Sequence, residues 1–305
     1  MSRSLPRVLV TGMNGFTGHY LAEALERAGY EVHGTVRPGE PASPSQHVVD
    51  LSDRETLRAL IEAVEPAHVI HLAAVSFVAH GDVDEIYRTN LLGTRNLLSA
   101  LASRLGRAQP PGSVILASSA NIYGNADVSP IDEDVPPRPA NDYAVSKSAM
   151  EQMAALWAAE LPITIVRPFN YTGVGQSTQF LIPKIVDAFS RRIDALELGN
   201  LDVHRDFSDV RDVVGAYVGL LQASPRKTLN ICSGRTHTLR DILEKVSALS
   251  GHLLEVRVNP QFVRANEVRV LQGSAERLRK VLPGWNPRPI EETLAWMLAA
   301  KETKH

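Results

Sequence analysis

Arg7-Val-Leu-Val-Thr-Gly12-Met-Asn-Gly15-Phe-Thr-Gly18 is the stretch on which the fold turns. Its first five residues make a short apolar run of the length of a buried strand. The glycines at 12, 15 and 18 suit a tight turn, a close backbone approach and a helix start packed against the strand. A helix is expected over 16–28, closed by Gly29. A helix N-terminus reached through such a turn offers backbone amides and a positive dipole end to a pyrophosphate. Gly12-x-x-Gly15-x-x-Gly18 in this setting predicts a dinucleotide site, with Asn14 and Phe16 in the same turn.

Outward from this unit the chain alternates. Strands are expected at 31–36, 68–72, 113–118 and 163–167. Helices are expected at 53–64 (with Ser52 as N-cap), 83–105 and 141–160. Short apolar strands separated by helices imply parallel βαβ units and a doubly wound sheet. Ligands in such sheets bind beyond the carboxyl ends of the strands. The glycine turn, Leu72-Ala73-Ala74, Ser119 and Arg167-Pro-Phe-Asn170 all fall at such ends. After Asn170 the alternation becomes irregular. Helices are expected at 183–190, 209–222, 239–249 (capped by Thr238) and 290–300, and a strand at 228–232 that rejoins the sheet. The expectation is therefore an α/β chain with a doubly wound parallel sheet and a smaller, interleaved C-terminal substrate-binding lobe. The sheet domain would take 1–168 plus about 208–232, and the lobe 169–207 plus 233–305.

The end of the second strand bears on the cofactor. Binders of unphosphorylated dinucleotides usually carry an acidic residue there, on the ribose hydroxyls. Here the residue is Arg37, whose cation suits a 2′-phosphate and favours NADP(H). Asp50 and Leu51 are placed to touch the adenine, or Asp50 serves as a helix-start residue; the sequence leaves both open. Tyr143-Ala-Val-Ser-Lys147 puts a phenol and an ammonium on one helix face, four residues apart. The positive charge is expected to lower the phenol pKa and make it a proton donor or acceptor. Ser119 is expected to bond the reacting oxygen beside it.

Together these motifs resemble the extended short-chain dehydrogenase/reductase family, over essentially the whole chain. The resemblance implies a Rossmann-type sheet, catalytic hydroxyls at Ser119 and Tyr143, and Lys147 holding the nicotinamide ribose. It also places Asn90 among the cofactor contacts. Within the family the likeness is to the GDP-sugar members, on Arg167–Gln176, Gly199–Asp212, Asn230–Gly234 and Arg264–Val268. It implies a GDP-sugar substrate, with Asn170, Arg205 and Arg264 near the diphosphate, Glu267 near a ribose and Lys184 near guanine O6. Ala265 stands where the family segment has proline.

Asn121, expected to touch substrate, sorts the chemistries. Family dehydratases carry Glu at this place, and an epimerising reductase carries Cys. Asn cannot act as an acid or base at neutral pH, whereas elimination or epimerisation beside a carbonyl needs such a group. Reduction of the C4 ketone of GDP-4-keto-6-deoxy-D-mannose by NADPH is thus the expected reaction, giving GDP-D-rhamnose, with the 4-epimer GDP-6-deoxy-D-talose as the alternative product. A 4-epimerase needs no extra acid or base either and stays open.

The formal net charge of −2 gives no reason to expect nucleic acid or an anionic membrane as partner. No apolar run approaches the ~20 residues that span a bilayer. One cysteine, Cys232, allows no internal disulfide, and a reducing cytoplasm is expected. The histidines show no metal spacing, and no metal is expected. Met150, Met153 and Trp157 on one helix, with Leu91, Leu97, Leu98 and Leu101 on another, suggest apolar surface to spare and a twofold homodimer.

Overall fold

In the computed structural model, the described residues are 5–76, 82–104, 111–262 and 269–302. The first unit is as expected: β1 (Arg7–Thr11), α1 (Phe16–Arg27) and β2 (Glu31–Val36). A short strand the sequence had not suggested, β3 (Gln46–Val48), follows. Then come α2 (Arg54–Val64), β4 (His68–His71), α3 (Val83–Tyr87), α4 (Thr94–Ala102), β5 (Ser113–Ala117), α5 (Asp142–Ala154) and β6 (Ile163–Pro168). Later in the chain β7 (Asn170–Thr172), α6 (Leu181–Ser190), β8 (Ala195–Leu198), β9 (His204–Asp209), α7 (Val210–Ala223) and β10 (Thr228–Ile231) appear. β11 (Thr236–Thr238), α8 (Leu239–Ser250), β12 (Glu255–Val258), β13 (Val270–Leu271), α9 (Glu276–Val281) and α10 (Ile290–Glu302) complete it.

Seven strands form one sheet in the order β10-β6-β5-β4-β1-β2-β3. Every pairing in it is parallel. The order reverses between β1 and β4, which is where a doubly wound sheet opens its binding crevice. Side chains alternate across the sheet as the period of two requires. Val8 and Val10 pack toward α1 and α7, and Leu9 packs toward α2, α4 and α5. β10 takes the edge beside β6, so the strand expected at 228–232 does rejoin the sheet.

The remaining strands lie outside it. β9 pairs with β11, β13 and β7, and β12 pairs with β8. With α6, α8 and α10 they enclose a separate apolar core around Ile185, Phe189, Leu196, Phe207, Ile242 and Leu294.

Four local expectations need correction. The N-cap of α2 is Asp53, whose carboxylate accepts from the amides of Glu55 and Thr56, both at 3.1 Å. Ser52 instead donates its own amide to Asp50 Oδ1 at 2.8 Å. The helix expected over 83–105 is interrupted by a π-helical segment, Arg88–Gly93, between α3 and α4. The helix expected over 141–160 ends at Ala154 and tightens into a 3₁₀ turn, Ala155–Trp157. Finally, the apolar stripes are not spare surface. Met150, Leu97, Leu98 and Leu101 are fully or almost fully buried in the core beneath the sheet, with Leu91, Met153 and Trp157 packed against it. No helix among the described residues is long and apolar enough to cross a membrane.

Candidate active site

The glycine turn forms the floor of a cleft at the β1/β4 reversal. Gly12 has φ of 72°, and a Cβ there would stand 2.9 Å from the Ala73 Cα. A Cβ on Gly18 would stand 2.6 Å from the Gly12 carbonyl oxygen, so this glycine lets α1 press onto the turn. α1 has no side-chain cap at its N-terminus. By contrast α2, α5, α7 and α8 are capped by Asp53, Asn141, Asp209 and Thr238. The first-turn amides of α1 thus face the cleft without a side chain of their own to satisfy them, and Gly12, Asn14, Gly15, Phe16 and Gly18 all line it. This cradle fits the pyrophosphate of a dinucleotide.

At the end of β2 Arg37 lines the same cleft with its guanidinium largely exposed. Its Nε donates to Glu40 Oε1 at 2.9 Å. Asn14 Nδ2 donates to Glu40 Oε2 at 3.4 Å and to the Pro41 carbonyl at 3.0 Å. Asp50 and Leu51 also line the cleft, Asp50 exposed and Leu51 buried.

Leu72, Ala73 and Ala74 form the opposite rim after β4. Behind them a buried relay fixes the main chain. Thr94 Oγ1 donates to the Asn90 carbonyl at 2.7 Å, so it accepts from His71 Nε2 at 2.8 Å. His71 Nδ1 then accepts from Thr11 Oγ1 at 2.6 Å, and Thr11 Oγ1 accepts the Ala73 amide at 3.2 Å. Burial, with the Lys147 charge nearby, pushes the His71 pKa down to about 3, so the ring stays neutral and this tautomer holds. Asn90 is fully buried and does not line the cleft. The π segment turns it toward the loop after β4, where it bonds the Val75 amide at 2.8 Å and the Val75 carbonyl at 3.1 Å. It also donates to Ser146 Oγ at 3.0 Å. These bonds let Asn90 position the loop after β4.

Ser119, Tyr143 and Lys147 meet where β5 ends and α5 begins. Ser119 caps the 3₁₀ turn Ala120–Tyr123 by accepting the Asn121 amide at 3.2 Å. Its hydroxyl lies near enough to the Tyr143 phenol to favour the ionised form slightly. Asn141 caps α5 and so fixes the phase of Tyr143 and Lys147. Lys147 does not lower the Tyr143 pKa as the sequence had suggested. Burial pushes the phenol up to about 12, and only the nearby Ser119 hydroxyl opposes it. The Lys147 ammonium turns to the Ala117 carbonyl, 2.7 Å away. Burial pulls its pKa down to about 8, against the charge of Glu151. Glu151, one turn further along α5, is held by Arg167 of β6 in a buried two-pronged pair of 2.9 and 2.6 Å. Arg167 also donates to the Tyr123 hydroxyl at 2.8 Å, tying α5 to the sheet below the reacting groups.

Across the cleft stand Asn121, Asn170, Lys184 and Arg205. Asn121 is exposed, and the Asn170 amide donates to the Asp206 carbonyl at 3.4 Å. Lys184 Nζ donates to the Glu197 carbonyl at 3.0 Å and lies 5.1 Å from the centre of the Phe262 ring. Arg264 and Glu267 lie outside the described residues. The cleft also gains residues that sequence reasoning missed. Tyr171 and Tyr217 border Tyr143, and the Tyr171 hydroxyl bonds Thr17 Oγ1 at 2.8 Å. Tyr171 adjoins Asn170 in sequence, which was the available signal; Tyr217 sits in the middle of α7 and offered none. The whole cleft is about 1930 Å³. That is roughly twice a single-ligand pocket, and it suits a dinucleotide and a second large ligand end to end.

Comparison with known proteins agrees with this geometry. A family model described as GDP-mannose 4,6 dehydratase matches residues 9–297. The GDP-6-deoxy-D-mannose reductase of Pseudomonas aeruginosa is 34% identical over 98% of each chain. The GDP-6-deoxy-D-talose 4-dehydrogenase of Aggregatibacter actinomycetemcomitans is 33% identical over 90% of this chain and 91% of its own. Among solved structures, RMD from Pseudomonas aeruginosa complexed with NADPH superposes with a TM-score of 0.85 at 33% identity, over 98% of this chain and all of its own. A Burkholderia cenocepacia protein solved under the provisional designation of an epimerase gives 0.92 at 48% identity, over 99% of this chain and all of its own.

Proposed function

We infer that this chain, which belongs to the GDP-mannose 4,6-dehydratase family of extended short-chain dehydrogenase/reductases, reduces the C4 ketone of GDP-4-keto-6-deoxy-D-mannose with NADPH to GDP-D-rhamnose. The observation that carries the reading is the buried Ser119–Tyr143 hydroxyl pair beside an amide, Asn121, in place of an acid or base. Bound nicotinamide supplies the hydride. The glycine cradle would hold the pyrophosphate, Arg37 would attract the 2′-phosphate and Lys147 would hold the ribose. Ser119 orients the ketone oxygen. Tyr143, protonated at neutral pH, gives its proton to that oxygen as negative charge develops there. Asn170, Lys184 and Arg205, with Arg264 and Glu267, would grip the GDP. The reductase named above supports the substrate class, and the complex with NADPH supports the cofactor.

The test is direct. Purified protein, NADPH and GDP-4-keto-6-deoxy-D-mannose are mixed, and the product is identified by proton NMR. Rhamnose places H4 axial with large couplings to H3 and H5; the 6-deoxy-talose isomer gives small ones. The talose relative makes that second outcome the principal alternative. Turnover of a nucleotide hexose to its 4-epimer without net NADPH consumption would replace the reductase reading by the epimerase one, which the provisional Burkholderia designation favours.

We also infer a twofold homodimer. The support is an outer face of Val145 and Ala149 on α5, continued by the exposed Leu156 in the 3₁₀ turn that follows, with Leu92 exposed on the neighbouring π segment. Sedimentation equilibrium at micromolar protein showing one species at 33.3 kDa would refute it. The lone, buried thiol of Cys232 is in keeping with a reducing cytoplasm.

A further inference from the structure

Arg37-Pro-Gly-Glu40 is a four-residue turn at the end of β2. Pro38 occupies its second position, and Gly39 its third with φ of 87°. The Glu40 amide donates to the Arg37 carbonyl at 3.1 Å. This is the arrangement of a type II turn, for which Pro then Gly is the favoured pair. The turn brings the Glu40 carboxylate back over the start of its own loop. Oε1 accepts from Arg37 Nε at 2.9 Å, while Oε2 accepts from the Arg37 amide at 3.3 Å and from Asn14 Nδ2 at 3.4 Å. Three donors, from the end of β2 and from the glycine turn, thus converge on one anion. Burial opposes the ionised form, but the Arg37 and Asn14 bonds outweigh it and hold the carboxyl below its usual range. Arg37, Glu40 and Asn14 all line the cleft.

We propose that Glu40 is a specificity-determining residue of the cofactor site, narrowing the preference for a 2′-phosphorylated dinucleotide that Arg37 creates. The proposal rests on the dinucleotide reading of the cleft. In a doubly wound sheet the end of the second strand meets the adenosine ribose. A 2′-phosphate seeks the Arg37 guanidinium, whose Nε Glu40 already occupies, and it meets a like charge beside it. A bare 2′-hydroxyl is instead a donor, which the same carboxylate accepts. Glu40 therefore acts with opposite sign on the two cofactors. The Arg37–Glu40 pair is exposed and screened, so it contributes little to the fold and yields readily to a competing anion. Asn14 makes the arrangement more than a surface pair, because it ties the acid to the glycine turn.

Glu40→Gln keeps the shape and removes the charge. Full-length wild type and variant are titrated calorimetrically with 2′-phospho-ADP-ribose and with ADP-ribose, which separates the ribose contact from hydride chemistry. The ratio of the two affinities is expected to rise on the order of tenfold in the variant, the scale of one removed like-charge contact in a wet site. That gain is expected to shrink in high salt. Both affinities unchanged, or both moved by the same factor, overturns the role of Glu40 while leaving the cofactor reading standing. A wild type that binds neither probe overturns both.

Discussion

Replacing Lys147 by methionine is expected to stabilise the fold at neutral pH. Lys147 is 3% exposed and lines the cleft. Burial moves its pKa from the ordinary 10.5 to about 8. At about 1.4 kcal/mol for each tenfold change, the gap corresponds to a penalty of about 3 kcal/mol on the charged form. Methionine fills similar space without the charge, but it gives up the bond to the Ala117 carbonyl, worth about 1 kcal/mol. The net gain at pH 7 is then about 2 kcal/mol. Its pH dependence is the sharper test. Below pH 8 the lysine is charged in both folded and unfolded chains, and the difference between the two proteins is constant. Between about 8 and 10.5 the unfolded chain keeps the proton that the folded chain has lost, so wild-type stability rises with pH. The advantage of Lys147→Met must shrink across that window. Urea unfolding at pH 7, 9 and 10, followed by the emission of Trp157, Trp285 and Trp296, reads it. A variant less stable than wild type at pH 7, or a difference flat with pH, would refute the reasoning.

Tyr143→Phe removes only the hydroxyl and should lower kcat at least about a hundredfold, the scale of lost general acid catalysis, with NADPH affinity and melting temperature little changed; near-wild-type turnover would withdraw the assignment. Arg37→Asp should weaken NADPH binding and spare NADH, measured by quenching of protein fluorescence, since attraction to the 2′-phosphate becomes repulsion; a wild type with equal affinities for the two would undo the argument. Glu151→Gln strands the buried Arg167 guanidinium and should cost about 3–5 kcal/mol in urea unfolding; a loss under about 1 kcal/mol would mean that Tyr123 and the Glu133 carbonyl satisfy Arg167 without it.

The part of the fold that the sequence made legible is the part written in local signals. β1, α1 and β2 are each framed by apolar periodicity and glycine, and their bounds needed no long-range partner. The strands after β6 are different. β9 is His-Arg-Asp-Phe-Ser-Asp, too polar to suggest a buried strand. It is buried because Asp206 finds partners far away. Its carboxylate accepts the Ser233 hydroxyl at 2.6 Å and the amides of Ser233, Gly234 and Gly273 at 2.8, 2.9 and 3.3 Å. A carboxylate with that many donors is affordable in a core, but nothing near it in sequence announces them. β7, β11 and β13 exist only as partners of β9 and were invisible for the same reason. The π segment escaped too, because the bonds it lets Asn90 make reach Val75 and Ser146, across 15 and 56 residues.

The site shows the same division, with one reversal of sign. Which residues would gather was legible, since Ser119, Tyr143 and Lys147 lie at the ends of elements that the alternation had already placed. How they would titrate was not. A helix face brings Tyr143 and Lys147 to one side, and from spacing alone the ammonium should ease the phenol toward its anion. The fold instead buries both and aims the ammonium at a carbonyl. Burial then disfavours both charges, raising the phenol to about 12 and lowering the amine to about 8. For an oxidation begun by a phenolate base this would be a handicap. For a reduction it is apt, because the step consumes a proton and the neutral phenol carries one at every physiological pH. The alkoxide that forms on the sugar is a stronger base than a phenolate of that pKa, so transfer runs toward the alcohol. Desolvation of Tyr143 thus suits the proton delivery that a ketone reduction needs, while Asn121 withholds the acid or base that elimination or epimerisation would need.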